Sequence, residues 1–245
     1  TRKKQEGQMA FLGKKEKFGK AKVTYKGGGA KAIFYKQLLE YKKSKLFFFD
    51  SSTIMMLLLG VFLGYVWSQS MMEYREFLLP LVMSYLVFCM SAVGGKWSKE
   101  ILNPFTFLIP DSPMRKLWYA TLMEHIRSLV CGIIFAIPAG ILWKLPPIQV
   151  VLGVIFFVCL QACKIYNTVV AEVLVGNVLG KTGKQLFVMF LQGMVVGITA
   201  VAAILGIVLI SMEAGYLIMI GVLAVICLAM MTVANSSFDK METTD

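Results

Sequence analysis

Few side chains in this sequence have the means to do covalent chemistry. His125 is the only histidine, and it stands beside Glu124. A catalytic zinc site needs three protein ligands, and a nucleophile triad needs a histidine meeting both a carboxylate and a hydroxyl or thiol. One histidine in a stretch of helical spacing reads as part of a helix surface, so no catalytic residue and no metal site is assigned. The five cysteines, Cys89, Cys131, Cys159, Cys163 and Cys227, all fall in apolar runs without metal-ligand spacing. They are expected as reduced thiols packed as small hydrophobes. Gly176-Asn177-Val178-Leu179-Gly180-Lys181-Thr182 has the look of a phosphate-binding loop. It is one residue short between its glycines, and it follows an apolar helical run instead of a strand, so successive amides cannot wrap a phosphate. Its glycines are expected to end one helix and turn into the next. No cofactor is expected, and an enzyme is not.

The charges point elsewhere. The chain is 245 residues long, 58% hydrophobic and 16% charged, with a mean hydropathy of +0.71. A soluble domain carries about 25% charged residues. The formal net charge is +11, and residues 1–45 alone hold 14 Lys/Arg against Glu6, Glu16 and Glu40. The remainder balances, with 11 basic and 11 acidic side chains. A basic arm ahead of an apolar body fits a segment held in the cytoplasm against anionic lipid. It carries no nucleic-acid module, so membrane lipid is an expected partner and nucleic acid is not. The chain opens on Thr1 and is expected to be part of a longer polypeptide.

The apolar runs divide the chain into an all-α, polytopic membrane protein. Residues 1–29, ending in Gly27-Gly28-Gly29, are expected as a flexible basic arm. Over 30–49 Phe34, Tyr35, Leu38, Leu39 and Tyr41 share one side of a helical wheel, with Lys36, Gln37, Glu40 and Lys43 opposite. That pattern predicts an amphipathic elbow helix in the membrane surface. Asp50-Ser51-Ser52-Thr53 supplies cap chemistry for the next helix. Six spans are then expected within 50–234, at about 51–67, 77–93, 128–143, 148–175, 186–212 and 216–234. Residues 235–245 form a tail. Of 25 Lys/Arg, 23 fall on the amino-terminal side of these spans and only Arg75 and Lys144 on the other. Both termini are therefore expected in the cytoplasm.

Within the spans, Gln161, Lys164 and Asn167 are the intramembrane polar residues of interest. Counted from Ile148 at ~1.5 Å per residue, Lys164 lies about 24 Å along and Glu172 about 36 Å, at or beyond the inner interface. With no ionisable group at a midplane, ion-coupled transport is disfavoured. Gly60-x-x-x-Gly64 and Gly193-x-x-x-Gly197 can bring helices close, within the chain or between copies.

The most informative segment is the cytoplasmic loop 94–127. It contains Asn103-Pro104-Phe105-Thr106-Phe107-Leu108-Ile109-Pro110-Asp111-Ser112-Pro113, followed by Met114-Arg115-Lys116-Leu117-Trp118. Asp111 or Ser112 can cap a helix with Pro113 in its first position. This stretch, together with residues 29–42 and Phe47-Phe48-Phe49-Asp50, resembles the ABC exporter family of bacterial permeases. The resemblance implies an interfacial elbow helix, six spans and a coupling helix between spans two and three that docks on a separate ATP-binding subunit. By that resemblance Phe105 and Phe107 fill an apolar groove on the ATPase, Arg115 and Lys116 sit at its rim, and Asp111 caps the coupling helix. Members are often about twice this length, so a second permease half is implied, either a homodimer partner or a missing amino-terminal half. The implied setting is the bacterial plasma membrane. An alternative from another class is a non-transporting membrane anchor or regulator of a cytoplasmic protein.

Overall fold

A chain that crosses lipid must satisfy its backbone without water, and helices do so within one segment. The structure, a computed structural model, describes residues 28–43, 51–68, 75–90, 97, 104–175 and 180–243. The arm over 1–27, the Phe47–Asp50 motif, most of the 91–103 stretch, the turn expected over 176–179 and residues 244–245 lie outside them. Among the described residues every element is helical: α1 (Lys31–Lys43), α2 (Ser51–Ser68), α3 (Arg75–Cys89), α4 (Pro104–Phe107), α5 (Pro113–Leu142), α6 (Pro147–Val175), α7 (Gly180–Leu209) and α8 (Met212–Thr243).

By length and composition α5, α6, α7 and α8 can each cross a membrane, while α2 and α3 carry shorter apolar segments, Thr53–Trp67 and Glu76–Cys89. The four long helices run 29 to 32 residues. At ~1.5 Å per residue that is well beyond a ~30 Å hydrocarbon core, so their ends reach past it. α8 continues helically through most of the stretch expected as a tail. Large apolar side chains such as Leu58, Phe62, Phe190, Val201 and Val208 point outward from the bundle. In water they would drive association, and in lipid they meet an ordinary solvent.

Close helix contacts rest on missing side chains. A Cβ on Gly60 would stand 3.0 Å from the Phe135 carbonyl oxygen, and one on Gly64 2.6 Å from Leu142 Cδ1. The first glycine pair therefore seats α2 on α5 within the chain. The second pair behaves differently: among the described residues Gly193 meets only Phe88, at 3.5 Å, and Gly197 meets none. The tightest backbone approach is at a pair the sequence reading passed over. A Cβ on Gly206 would lie 2.9 Å from Gly215 Cα, closing the α7–α8 hairpin.

Two ends show how local chemistry shapes the helices. α5 stops where Lys144 adopts φ 52°, with Lys144 N–H donating to the Ile141 carbonyl and Leu145 N–H to Gly140. This paired pattern is a Schellman cap, so backbone geometry ends the helix before the prolines do. In α3, Pro80 lies inside the helix and cannot donate to the carbonyl of Glu76. The Tyr216 hydroxyl donates to that oxygen at 2.5 Å, tying the start of α8 to the start of α3.

The buried side chains form two cores. One is built by α2, α3, α5, α6, α7 and α8 around Leu79, Phe135, Phe156 and Leu160. The other gathers Ile33, Trp97, Leu117, Tyr166, Val170 and Phe238, with Phe107 and Ile109 packed against it. It is this second core that positions the loop before α5.

Candidate functional site

The segment from Pro104 to Trp118 leaves the bundle as a short turn, reverses at Ile109–Ser112 and starts α5. Pro113 takes the first helical position as expected, with Ser112 at the N-cap, but no side chain caps that end. Asp111 works across the fold instead. Its Oδ2 accepts from Ala30 N–H at 3.0 Å and its Oδ1 from Ser112 N–H at 2.9 Å, while Arg115 pairs with it at 3.5 Å. The carboxylate thus satisfies an amide at the start of α1, a helix 81 residues earlier in the chain. Gly29 makes this approach possible. Its φ is +65°, and a Cβ there would fall 2.7 Å from Asp111 Oδ2. The Ala30 amide, then the Ser112 amide, with Arg115 adding to them, hold the Asp111 carboxyl below the usual carboxylate range.

α1 lies along α5 through a stripe of Ala30, Ile33, Gln37 and Tyr41. Gln37 belongs to the face expected to be polar, yet it is buried and donates Nε2–H to the Ala120 carbonyl at 2.9 Å. The helix is anchored by a hydrogen bond as well as by apolar packing.

The loop residues singled out in the sequence separate into two groups. Phe107 turns inward and stacks on Phe238 of α8, with ring centroids 5.3 Å apart. Lys116 is 1% exposed, and its Nζ donates to the Phe107 carbonyl at 3.2 Å. These two side chains brace the turn from inside. Phe105, at 74%, and Leu108, at 76%, face outward, with Met114 and Trp118 partly exposed one helical turn apart on α5. The Arg115 side chain is open to solvent beside them. The braced turn therefore presents an aromatic and apolar patch with a guanidinium at its margin. Leu108, Met114 and Trp118 complete a surface that the sequence reading had centred on Phe105 and Phe107.

The polar residues of the long helices hold helices together. Asn167 donates Nδ2–H to Gln192 Oε1 at 3.1 Å, linking α6 to α7 with both side chains fully buried. Lys164 Nζ donates to the carbonyl of Met90 at 2.6 Å, and Gln161 is half-buried. Further along, Lys184 and Glu172 form an ion pair between α7 and α6. His125 sits among aromatic rings, its Nε2 3.4 Å from the Tyr166 hydroxyl and its ring 5.6 Å from that of Trp118. Among the described residues no group of three or more His, Cys, Asp or Glu is placed to hold a metal ion.

Long apolar helices with outward-facing hydrophobic surfaces are those of a membrane protein. The family described as "Putative ABC exporter" matches residues 1–242, and the chain belongs to that family. Membership makes it a transport component and implies association with an ABC ATPase and partner subunits. Comparison with curated proteins and with solved structures gives no match.

Proposed function

We propose that this chain is the membrane-spanning permease subunit of an ATP-driven exporter, with ATP hydrolysed by a separate ATP-binding subunit. In this reading α2, α3, α5, α6, α7 and α8 are six spans of a bacterial plasma-membrane protein, and both termini are cytoplasmic. α1 is the elbow helix, and a second permease half completes the pore. The observation that carries the reading is the outward patch of Phe105, Leu108, Met114 and Trp118 on a turn braced by Phe107, Lys116 and Asp111. An exposed aromatic cluster on a rigid support is what an interface hot spot requires. Arg115 lies at the rim, where charge tunes association more than affinity.

The test is binding of the purified ATPase to the chain reconstituted in lipid nanodiscs. Phe105→Ala combined with Trp118→Ala should weaken association by about 2 kcal/mol, roughly thirtyfold, and stop export. Arg115→Ala should cost less and act mainly on the association rate. Unchanged association and export in the double variant would refute the docking role. Partner binding lost in that variant, with no substrate movement detectable in the parent, would favour the anchor.

A further inference from the structure

The aromatic patch shares its corner of the fold with the root of α1. Asp111 holds the Ala30 N–H at 3.0 Å, so α1 starts on the turn that presents Phe105 and Leu108. Further along, Gln37 reaches the Ala120 carbonyl, which lies further along α5 in the same direction. The two helices are therefore parallel, with their amino-terminal ends together. Between Arg127 and Lys144 the chain carries no charged side chain, which puts Arg127 at a membrane interface. From Arg127 back to Pro113 is about 21 Å along α5. The headgroup layer on one side of a bilayer is only about 5–8 Å deep, so the turn and the root of α1 stand in water beyond it.

The sequence that joins the fold at this root is strongly basic. Residues 1–27 hold nine Lys/Arg against Glu6 and Glu16. An extended chain advances at most ~3.5 Å per residue, so Lys26 lies within about 7 Å of Gly28, Lys22 within about 21 Å and Lys20 within about 28 Å. A standard interface, at ~800 Å² per partner, is about 16 Å in radius. A protein seated on Phe105 and Trp118 is thus within reach of these ammonium groups. Lys31, exposed on the first turn of α1, and the open Arg115 add to them. The opposing carboxylates are fewer. Asp111 is engaged by two amides and Arg115. Glu100 is outnumbered by Lys96 and Lys99, and at the end of α8 Asp239 and Glu242 flank Lys240. The field over this face is positive.

We propose that the ATPase carries an acidic rim around its docking groove, and that the basic arm of this chain draws that rim in and sets the speed of docking. This rests on the docking role given above and adds the chemistry of the partner's surface. Anionic lipid is the competing target for a polybasic segment. The protein is favoured because Asp111 pins the root of the arm beside the patch, on the water side of the headgroups.

The experiment follows association of the same purified ATPase with the full chain by stopped flow, in phosphatidylcholine nanodiscs whose lipid has no net charge. Raising salt from about 0.1 to about 1 M shortens the screening length from ~10 to ~3 Å and should slow association at least tenfold. The variant Lys17→Gln, Lys20→Gln, Lys22→Gln, Lys26→Gln should associate at least fivefold more slowly at low salt, with a flatter salt dependence and a dissociation rate within about twofold of the parent. Arg at the same four positions should keep the parental rate. A carbodiimide, which joins an amine to a carboxylate and leaves as a urea, should link Lys22, Lys26 or Lys31 to Asp or Glu of the ATPase. Parental association by the Gln variant, or association indifferent to salt, would overturn the proposal. So would a Gln variant that is slowed only when phosphatidylglycerol is added to the nanodiscs, which would assign the arm to the membrane. The docking role is judged separately: if Phe105→Ala with Trp118→Ala weakens association while the Gln variant matches the parent, only the charge assignment fails.

Discussion

Tyr216→Phe removes one oxygen from a side chain that is 2% exposed. The lost hydroxyl is the donor that serves the Glu76 carbonyl at 2.5 Å. That carbonyl has no helical partner, because the residue four positions on is Pro80. Leaving a buried acceptor unsatisfied costs about 1–3 kcal/mol, whereas an average interhelical hydrogen bond in a membrane protein is worth ~0.6. The proline places this bond in the first of these ranges, at about 1.5 kcal/mol. The same substitution in a Pro80→Ala background should cost under ~0.5 kcal/mol, since the restored amide at position 80 can donate to Glu76 in its place. A coupling of about 1 kcal/mol should therefore appear in the double-mutant cycle. Reversible unfolding of the four variants by dodecyl sulfate titration in mixed micelles reads all four corners. Costs that add within ~0.3 kcal/mol would show that the hydroxyl does not replace the amide lost to the proline.

Two further outcomes follow from the packing and the charges. Gly60→Val should destabilise by about 1–3 kcal/mol, because α2 would meet the Phe135 backbone, whereas Gly197→Ala should be neutral or gain about 0.5–1 kcal/mol of helix propensity in the same titration. Asp111 titrates lower in the folded chain than in the unfolded one, so its tie to α1 is fully present above the ordinary carboxylate range and is lost as pH falls through the depressed folded value. Hydrogen exchange should accordingly find the α1 amides equally protected from pH 7 to pH 5 and deprotected in stronger acid, and Asp111→Asn should weaken protection throughout and remove the acid dependence.

Much of the scaffold was legible because helix length and apolar continuity are local properties. The runs that became α5 to α8 and the Pro113 start could be read from neighbours along the chain. The side-chain partners could not. Gln37 falls on the polar side of a helical wheel, but the wheel does not know that the Ala120 carbonyl lies opposite. Lys116 and Arg115 are adjacent and equally basic, and only the rotation of α5 decides that one is buried under Phe107 and the other faces out. The family resemblance marked the loop as a unit and gave no means of separating Phe107, which braces it, from Phe105, which is presented. Gly206 and Gly215 escaped notice because the motif for close packing has both small residues on one helix, whereas these two meet across a hairpin.

The division into two cores gives the molecule the mechanics of a beam on a fulcrum. α5, α6 and α8 run unbroken through both cores, α2 and α3 belong to one, and α1 to the other. Close-packed interiors resist compression, so a load applied to the inner core is passed along those three helices as tilt instead of being absorbed where it lands. The Phe107–Phe238 stack fastens the loaded end of α8, and Tyr216 fastens its far end to α3. In the proposed docking role a push on Phe105 reaches α3 through this rod, and α7 follows, joined to α8 at Gly206 and Gly215 and to α6 by the Asn167–Gln192 bond and the Lys184–Glu172 pair.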